Sequence, residues 1–304
     1  MTGSSDDRPP LLSIIVVTWN SVGVVSSCLQ SLLEHPPSVA WELIVVDNGS
    51  TDGTAAQVHS DLPDVTVIAN THNRGLPAAN NQGMVSAHGA LFLICNPDVL
   101  FETGAVDALI AVLHRHPEAG WVVPRLRYPD GGAQTSAGDL PSLGEALLGR
   151  QLGRRRSPGT PRGFWWDGWP HDQERQIGRG HEAAYLVRRH AVTQVGLQDE
   201  RYVLDWEGID WTDRFRQGGW QVWLAPAANV THLGGASIRQ VPVRWIVSQH
   251  RGMYRYFSRR RPRSWRPGLA ALFFLRAAAK VATLGTGAPL YEWAHRDRRD
   301  VARR

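Results

Sequence analysis

The sequence predicts an α/β protein organised around a doubly wound sheet, and three observations carry the prediction. Short apolar runs rich in Val and Ile recur, as strands buried on both faces of a sheet require. Segments of helical character separate them. Each run ends in a loop rich in Asp, Asn, Gly or His, and ligands of open α/β sheets bind where the carboxyl ends of the strands open.

The elements follow in order. After a polar, flexible leader over residues 1–10, residues 11–17 form a continuous apolar strand ending at Thr18-Trp19-Asn20. Ser21 is placed to cap a helix reaching about Glu34. Residues 41–46 are a second strand, ending in the loop 47–54 from which the next helix starts. Residues 65–69 read as a third strand, 78–88 as a helix, and 90–95 as a fourth strand running into Asn96-Pro97-Asp98. The pattern weakens from Gly131 to Gly180, where 154–159 and 164–170 predict loops. A second ordered region runs from His181 to His232, with a strand at 183–187, an acidic helix start near 205–210 and a strand at 221–225.

With 42% hydrophobic and 20% charged residues, the 304-residue chain can bury a large core, which excludes a wholly disordered protein. Net charge is +5, unevenly spread: residues 239–304 hold sixteen Lys and Arg against Glu292, Asp297 and Asp300, so that this tail carries +13 and the rest −8. Such a tail suits an anionic surface. No nucleic-acid motif accompanies it, and neither a Walker sequence nor Gly-x-Gly-x-x-Gly occurs, which argues against nucleic-acid binding, an ATPase and a dinucleotide dehydrogenase. Residues 269–284 are apolar but interrupted by Arg276 and Lys280, and are preceded by Arg259, Arg260, Arg261 and Trp265. That pattern predicts a partly amphipathic helix lying in an anionic membrane interface. No uninterrupted apolar run reaches the roughly 18 residues of a spanning helix. The polar start, with Asp6 and Asp7, predicts no cleaved signal, and Cys28 and Cys95 in apolar surroundings read as reduced core thiols. The expected location is cytoplasmic, peripheral at the inner face of the plasma membrane.

Chemistry concentrates in the strand-end loops. Asp98 ends a buried strand, where a carboxylate can hold a divalent cation beside a diphosphate, and His232 follows another strand-like stretch. Arg74, in a Gly-containing turn before a helix, can approach a diphosphate. The acids from Asp205 to Asp210 suit either proton transfer or a helix N-terminus, where acids complement the macrodipole.

Several of these segments together resemble family 2 glycosyltransferases. They are Thr18-Trp19-Asn20, the stretch from Val46 to Thr54, Asn73-Arg74-Gly75 with Asn80-Asn81-Gln82-Gly83, and Asn96-Pro97-Asp98-Val99. The second half adds residues 184–189 and 195–202, Trp206-Glu207-Gly208-Ile209-Asp210, and His232. The likeness spans about residues 11–235 and is greatest to the rhamnosyltransferase branch, whose actinobacterial members act on lipid-linked N-acetylglucosamine. It implies a GT-A type, doubly wound mixed sheet over 11–238, with a nucleotide-sugar half at 11–125, an acceptor half at 126–238, and a basic helical extension at 239–304. It further implies an inverting transfer dependent on Mn²⁺ or Mg²⁺, from a nucleotide-sugar such as dTDP-L-rhamnose to a glycan or polyprenyl-linked acceptor in cell-envelope synthesis.

Residue by residue, the resemblance implies a donor site of Thr18, Trp19, Asn20, Asp47, Asn48, Asn73, Arg74, Asn80 and Asn96, with Trp19, Asp47 and Asn48 at the nucleoside. Asp98 and His232 match the metal ligands. Glu207-Gly208 matches an acidic pair whose second member, usually Asp, is the catalytic base; here it is Gly. Glu207 is therefore the expected base and Asp210 the second choice, and Gly208→Asp is expected to raise the rate or leave it unchanged. The alternative is a catalytically impaired nucleotide-sugar-binding homologue with a regulatory or assembly role.

Overall fold

The computed structural model describes residues 10–148, 162–234 and 242–284, so the leader, the Arg154–156 loop and the end of the basic tail fall outside it. The chain divides into two units, one formed by Met1–Val203 with Glu207–Ser237, the other by Leu204–Trp206 with Ile238–Arg304.

The larger unit begins with β1 (Leu12–Thr18), α1 (Val25–Glu34), β2 (Trp41–Asp47), α2 (Thr54–Asp61), β3 (Thr66–Ala69), α3 (Leu76–Ser86) and β4 (Leu91–Cys95). These strands lie parallel in the order β3-β2-β1-β4. Every residue of β1 is buried, and its side chains alternate between two cores, as a pleated strand requires. Leu12, Ile14 and Val16 join Cys28 and Leu29 of α1, whereas Ile15 and Val17 join Ala79 and Met84 of α3. Each such fully buried side chain contributes roughly 1.5–3 kcal/mol.

There follow β5 (Val99–Phe101), α4 (Ala105–Arg115), β6 (Ala119–Arg127), β7 (Ala137–Gly138), α5 (Leu143–Leu148), β8 (Arg175–Ile177), β9 (Arg179–Gly180), β10 (Ala184–Arg188), α6 (Arg189–Val195), α7 (Glu207–Gln217) and β11 (Gln221–His232). The sheet continues from β4 as β10-β6-β11-β5, with β8 on β11. Strand β10 is antiparallel to both β4 and β6, which makes the sheet mixed. The second core is aromatic: Trp121 stacks on Tyr185 at 4.6 Å and meets Trp211 and Phe215 edge-on.

Several boundaries differ from the sequence expectation. Ser21 caps no helix; its hydroxyl donates to the Trp19 carbonyl, and a turn closed by Val24 N–H and Val25 N–H on the Ser21 carbonyl delays α1 to Val25. Pro77 is accommodated in the first turn of α3, so that helix starts at Leu76 rather than Ala78. Strand β11 runs on to His232 past the register shift between Ala225 and Asn229 that hid its continuation. The 164–170 segment has no regular structure, yet Trp166 and Trp169 are buried in the second core.

The smaller unit contains α8 (Pro242–Arg259), a 3₁₀ turn at Arg263–Trp265 and α9 (Arg266–Leu284). Leu204–Trp206 clips onto α8: Trp245 Nε1 donates to Asp205, and Ser248 Oγ to the Leu204 carbonyl at 2.9 Å. Asp205 and Trp206 have φ of 64° and 71°, so the expected helix start slips to Glu207. Gly252 makes room for this clip, since a Cβ there would lie 2.8 Å from that of Trp206. Trp206 packs on Tyr256 and Phe257, and Phe257 stacks on Phe273 of α9.

Despite the absence of an uninterrupted apolar run, Arg263–Leu284 is long and apolar enough to cross a membrane by length and composition. Arg276 and Lys280 are one helical turn apart and share a face, on which Arg276 Nη1 donates to His250 Nε2 at 2.8 Å. Phe274 and Leu275 remain 72% and 65% exposed.

Candidate active site

The parallel strands deliver their polar ends to one edge of the sheet. Thr18 and Asp47 are register partners on β1 and β2, and Thr18 Oγ1 donates to Asp47 Oδ1 at 2.9 Å. Ser50 adds its hydroxyl to Oδ1 at 2.5 Å and its N–H to Oδ2 at 3.1 Å. Asn20, at φ 47°, donates its N–H to Ser50 Oγ and accepts Thr51 N–H on its side chain. The buried Asp47 carboxylate therefore fixes two loops together, and Trp19 lies between its anchored neighbours, half-buried.

Asn48 organises the next loop. Its Oδ1 accepts Asn70 Nδ2 and Arg74 N–H, and its Nδ2 donates to the Gly75 carbonyl and Asn73 Oδ1. Asn73 Oδ1 also accepts Gly75 N–H at 2.9 Å. The backbone of Arg74 is thus pinned while its side chain is exposed. Asn80 stands apart from this group. It is buried in α3, its Nδ2 donates to Gln198 Oε1, and Oδ1 has no hydrogen-bond partner among the described residues. Its neighbour Asn81 ties α3 to the Gln198 backbone through both amide atoms.

Beyond β4, Asn96 N–H donates to the Ala183 carbonyl at 2.8 Å. Asp98 faces His232, with Oδ1 3.5 Å from Nε2 and both side chains under 10% exposed. The antiparallel pairing of β5 with β11 sets this meeting: His232 is the partner of Val99, and Leu233 N–H donates to the Asp98 carbonyl. Gln134 Oε1 lies 3.0 Å from His232 Nδ1. With Nδ1 directed at Gln134, Nε2 is the ring nitrogen that faces the Asp98 carboxylate. An oxygen and an imidazole nitrogen so disposed fit a divalent cation of the Mn²⁺ kind. Among the described residues no three His, Cys, Asp or Glu side chains cluster for a metal.

Glu207 and Asp210 both lie buried in the first turn of α7. Asp210 is committed elsewhere: Oδ2 accepts Arg214 Nε at 3.1 Å and Oδ1 accepts Tyr202 Oη at 3.3 Å, which argues against its use as a base. Gly208→Asp would meet Glu182: a Cβ at Gly208 would lie 1.8 Å from the Glu182 carboxyl carbon, so that carboxylate would have to shift. Sequence reasoning missed Glu182, Gln134 and His181, whose ring meets that of His232 at 5.3 Å. Their only signal was a place just before a strand or in a stretch without periodicity.

The family model described as glycosyl transferase family 2 matches residues 13–170. The chain is 31% identical over 278 residues to the N-acetylglucosaminyl-diphospho-decaprenol L-rhamnosyltransferase of Mycobacterium tuberculosis, an alignment covering 85% of this chain and 88% of that one. Among solved structures, the mannosyltransferase PcManGT from Pyrobaculum calidifontis, in complex with GDP-Man and Mn²⁺, superposes with a TM-score of 0.55 at 18% identity, over 97% of this chain and 81% of that one. GalNAc-T7 with UDP, GalNAc and Mn²⁺ gives 0.54 at 16% identity, over 75% of this chain and 44% of that one. Both structural likenesses are of fold.

Proposed function

The chain belongs to glycosyl transferase family 2, with a GT-A type fold and glycosyltransferase activity, and from that premise we propose that it moves L-rhamnose from dTDP-L-rhamnose, with inversion, onto the N-acetylglucosamine of a polyprenyl-diphosphate acceptor in cell-envelope synthesis. The observation that carries the substrate assignment is the 31% identity, over 85% of this chain and 88% of the other, with the mycobacterial rhamnosyltransferase.

The strand-end geometry supports the mechanism. The loops fixed by Asp47 and Asn48 hold Trp19 and the Arg74 backbone in place for the nucleoside and its diphosphate. Asp98 and His232 would hold Mn²⁺ or Mg²⁺, which when bound offsets the charge growing on the departing diphosphate. The exposed Arg74 side chain adds a second cation for the same oxygens. An in-line displacement also needs a carboxylate to take the acceptor hydroxyl's proton, and we place it where the Glu182 and Glu207 carboxylates come together beside the start of α7.

The helical unit supports attachment at the cytoplasmic face of the plasma membrane. The exposed Phe274 and Leu275 suit the acyl boundary, and the Arg259, Arg260 and Arg261 cluster suits anionic headgroups.

The test is transfer itself: purified protein, Mn²⁺ or Mg²⁺, and a polyprenyl-diphospho-N-acetylglucosamine acceptor, with dTDP-L-rhamnose competed against UDP- and GDP-sugars. A rhamnosylated lipid formed only with the dTDP donor is the expected product. Donor-dependent thermal stabilisation without transfer from any donor would instead leave a binding homologue.

A further inference from the structure

Gly208 needs no special backbone freedom, and the space where its side chain would start holds the carboxylate of another residue. It lies in the first turn of α7 and is not among the positive-φ glycines, so any L-residue would suit the conformation. A helical glycine costs about 1 kcal/mol relative to alanine. The Glu182 carboxylate occupies the space beside it: its carboxyl carbon lies 1.8 Å, and its oxygens 2.0 and 2.1 Å, from the Cβ that position 208 would carry, so a side chain there would have to displace that carboxylate. The carboxyl carbon of an Asp at position 208 would lie roughly 1.5 Å from that same Cβ, one carbon–carbon bond away. The two carboxyl groups thus compete for one place.

The chain brings Glu182 there from another direction. Glu182 precedes β10, whose first residue, Ala184, pairs with Cys95 of β4, and the Ala183 carbonyl accepts Asn96 N–H. Glu182 is therefore anchored to the loop that carries Asp98, and its neighbour His181 meets the ring of His232. On its other side lies α7. The buried Tyr185 phenol is pushed well above its usual value first by burial and then by Glu182 and Glu207, which places both carboxylates around it.

We infer that Glu182 is the catalytic base of this enzyme, a carboxylate delivered from the β10 side into the place left open by Gly208. The inference rests on the glycosyltransfer proposed above. In the step, the acceptor hydroxyl gives its proton to a Glu182 carboxylate oxygen while its oxygen forms the new bond to the anomeric carbon. The bond from that carbon to the diphosphate oxygen breaks, and its electron pair leaves with the nucleoside diphosphate. Glu207, buried beside this point, is then a positioning residue.

The decisive experiment is a carboxylate exchange measured in the transfer assay, with donor-dependent thermal stabilisation as the check on folding. Glu182→Gln should bind donor as wild type does and transfer roughly 10²- to 10⁴-fold more slowly, the usual contribution of a general base. Glu182→Gly should lose a similar factor. Gly208→Asp alone should lower transfer too, since the new side chain displaces the Glu182 carboxylate from its place. The double variant Glu182→Gly/Gly208→Asp should regain at least ten-fold over either single change. Glu182→Gln at the wild-type rate, full loss in Glu207→Gln without loss in Glu182→Gln, or a double variant no faster than the singles overturns the assignment of Glu182 and leaves the proposed function standing. A wild-type protein that transfers sugar from no dTDP-, UDP- or GDP-donor overturns that function itself, and this inference with it.

Discussion

The two units use apolar residues in opposite ways. In the larger unit β1 buries all seven of its residues and feeds two cores at once. In the smaller unit α9 buries only Leu269 and Phe273 among its nineteen residues, and leaves Phe274 and Leu275 open. Similar side chains thus specify a rigid frame in one place and an uncovered face in the other. The difference separates what the fold needs for itself from what it presents outward. It also predicts that chemistry and surface attachment can be removed independently.

The largest separation should come from Asp98→Ala. Metal-dependent donor binding should disappear and transfer fall by at least 10²- to 10³-fold, the scale for losing a charge-stabilising group, with folding and liposome binding unchanged. Calorimetry showing the same metal-dependent nucleotide affinity in the variant would remove Asp98 from the metal site. The converse change is Phe274→Ser with Leu275→Ser. The affinity for anionic liposomes should drop by at least about 10²-fold, from roughly 1.5–3 kcal/mol for each of the two apolar side chains, while donor binding stays. Unaltered sedimentation would mean that α9 faces something other than lipid.

Acid should give the smallest effect and touch both units. His171 in the larger unit and His250 in the smaller are each pushed down to about 4, first by burial and then by nearby cations, Arg125 for one and Arg276 with Lys280 for the other. Ser136 N–H donates to His171 Nε2 and Arg276 to His250 Nε2, so each bond requires a neutral ring. The unfolded chain, with histidines near 6.5, binds more protons, so stability present above that value is lost as pH falls towards 4. Each should cost about 2 kcal/mol at pH 5. His250→Gln should reduce the fall in melting temperature between pH 7 and pH 5, and an equal fall in wild type and variant would show that His250 does not set it.

How much of this was visible in the sequence depends on the reach of each signal. Strands β1, β2 and β4 are continuous Val/Ile/Leu runs, and the polar ends they carry are local in sequence. The site's second half was not local. Nothing near Ala184 announces that β10 runs antiparallel between β4 and β6. His232 could be matched by resemblance, but Gln134, ninety-eight residues away, could not be paired with it. Gly208 told only that a carboxylate was missing; that the Glu182 carboxylate lies beside it depends on how the segment before β10 packs against α7. Asp210 looked available because its partners Tyr202 and Arg214 are ordinary surface-type residues in a linear reading.

The position of β10 bears on how the chain is made. Strands β1 to β4 can assemble among themselves once residue 95 has emerged, but β6 finds both of its neighbours, β10 and β11, only later. More than ninety residues separate the end of β4 from the end of β10, an interval of roughly 5–20 s at ordinary synthesis rates. During that time β4 presents an unpaired, fully apolar edge, the template for aggregation that finished sheets conceal. Closing the sheet then requires long-range antiparallel pairing, the slow kind. Production of soluble protein should therefore respond to slower translation or lower temperature, and fragments ending before β10 should aggregate even though they contain every parallel strand of the first half.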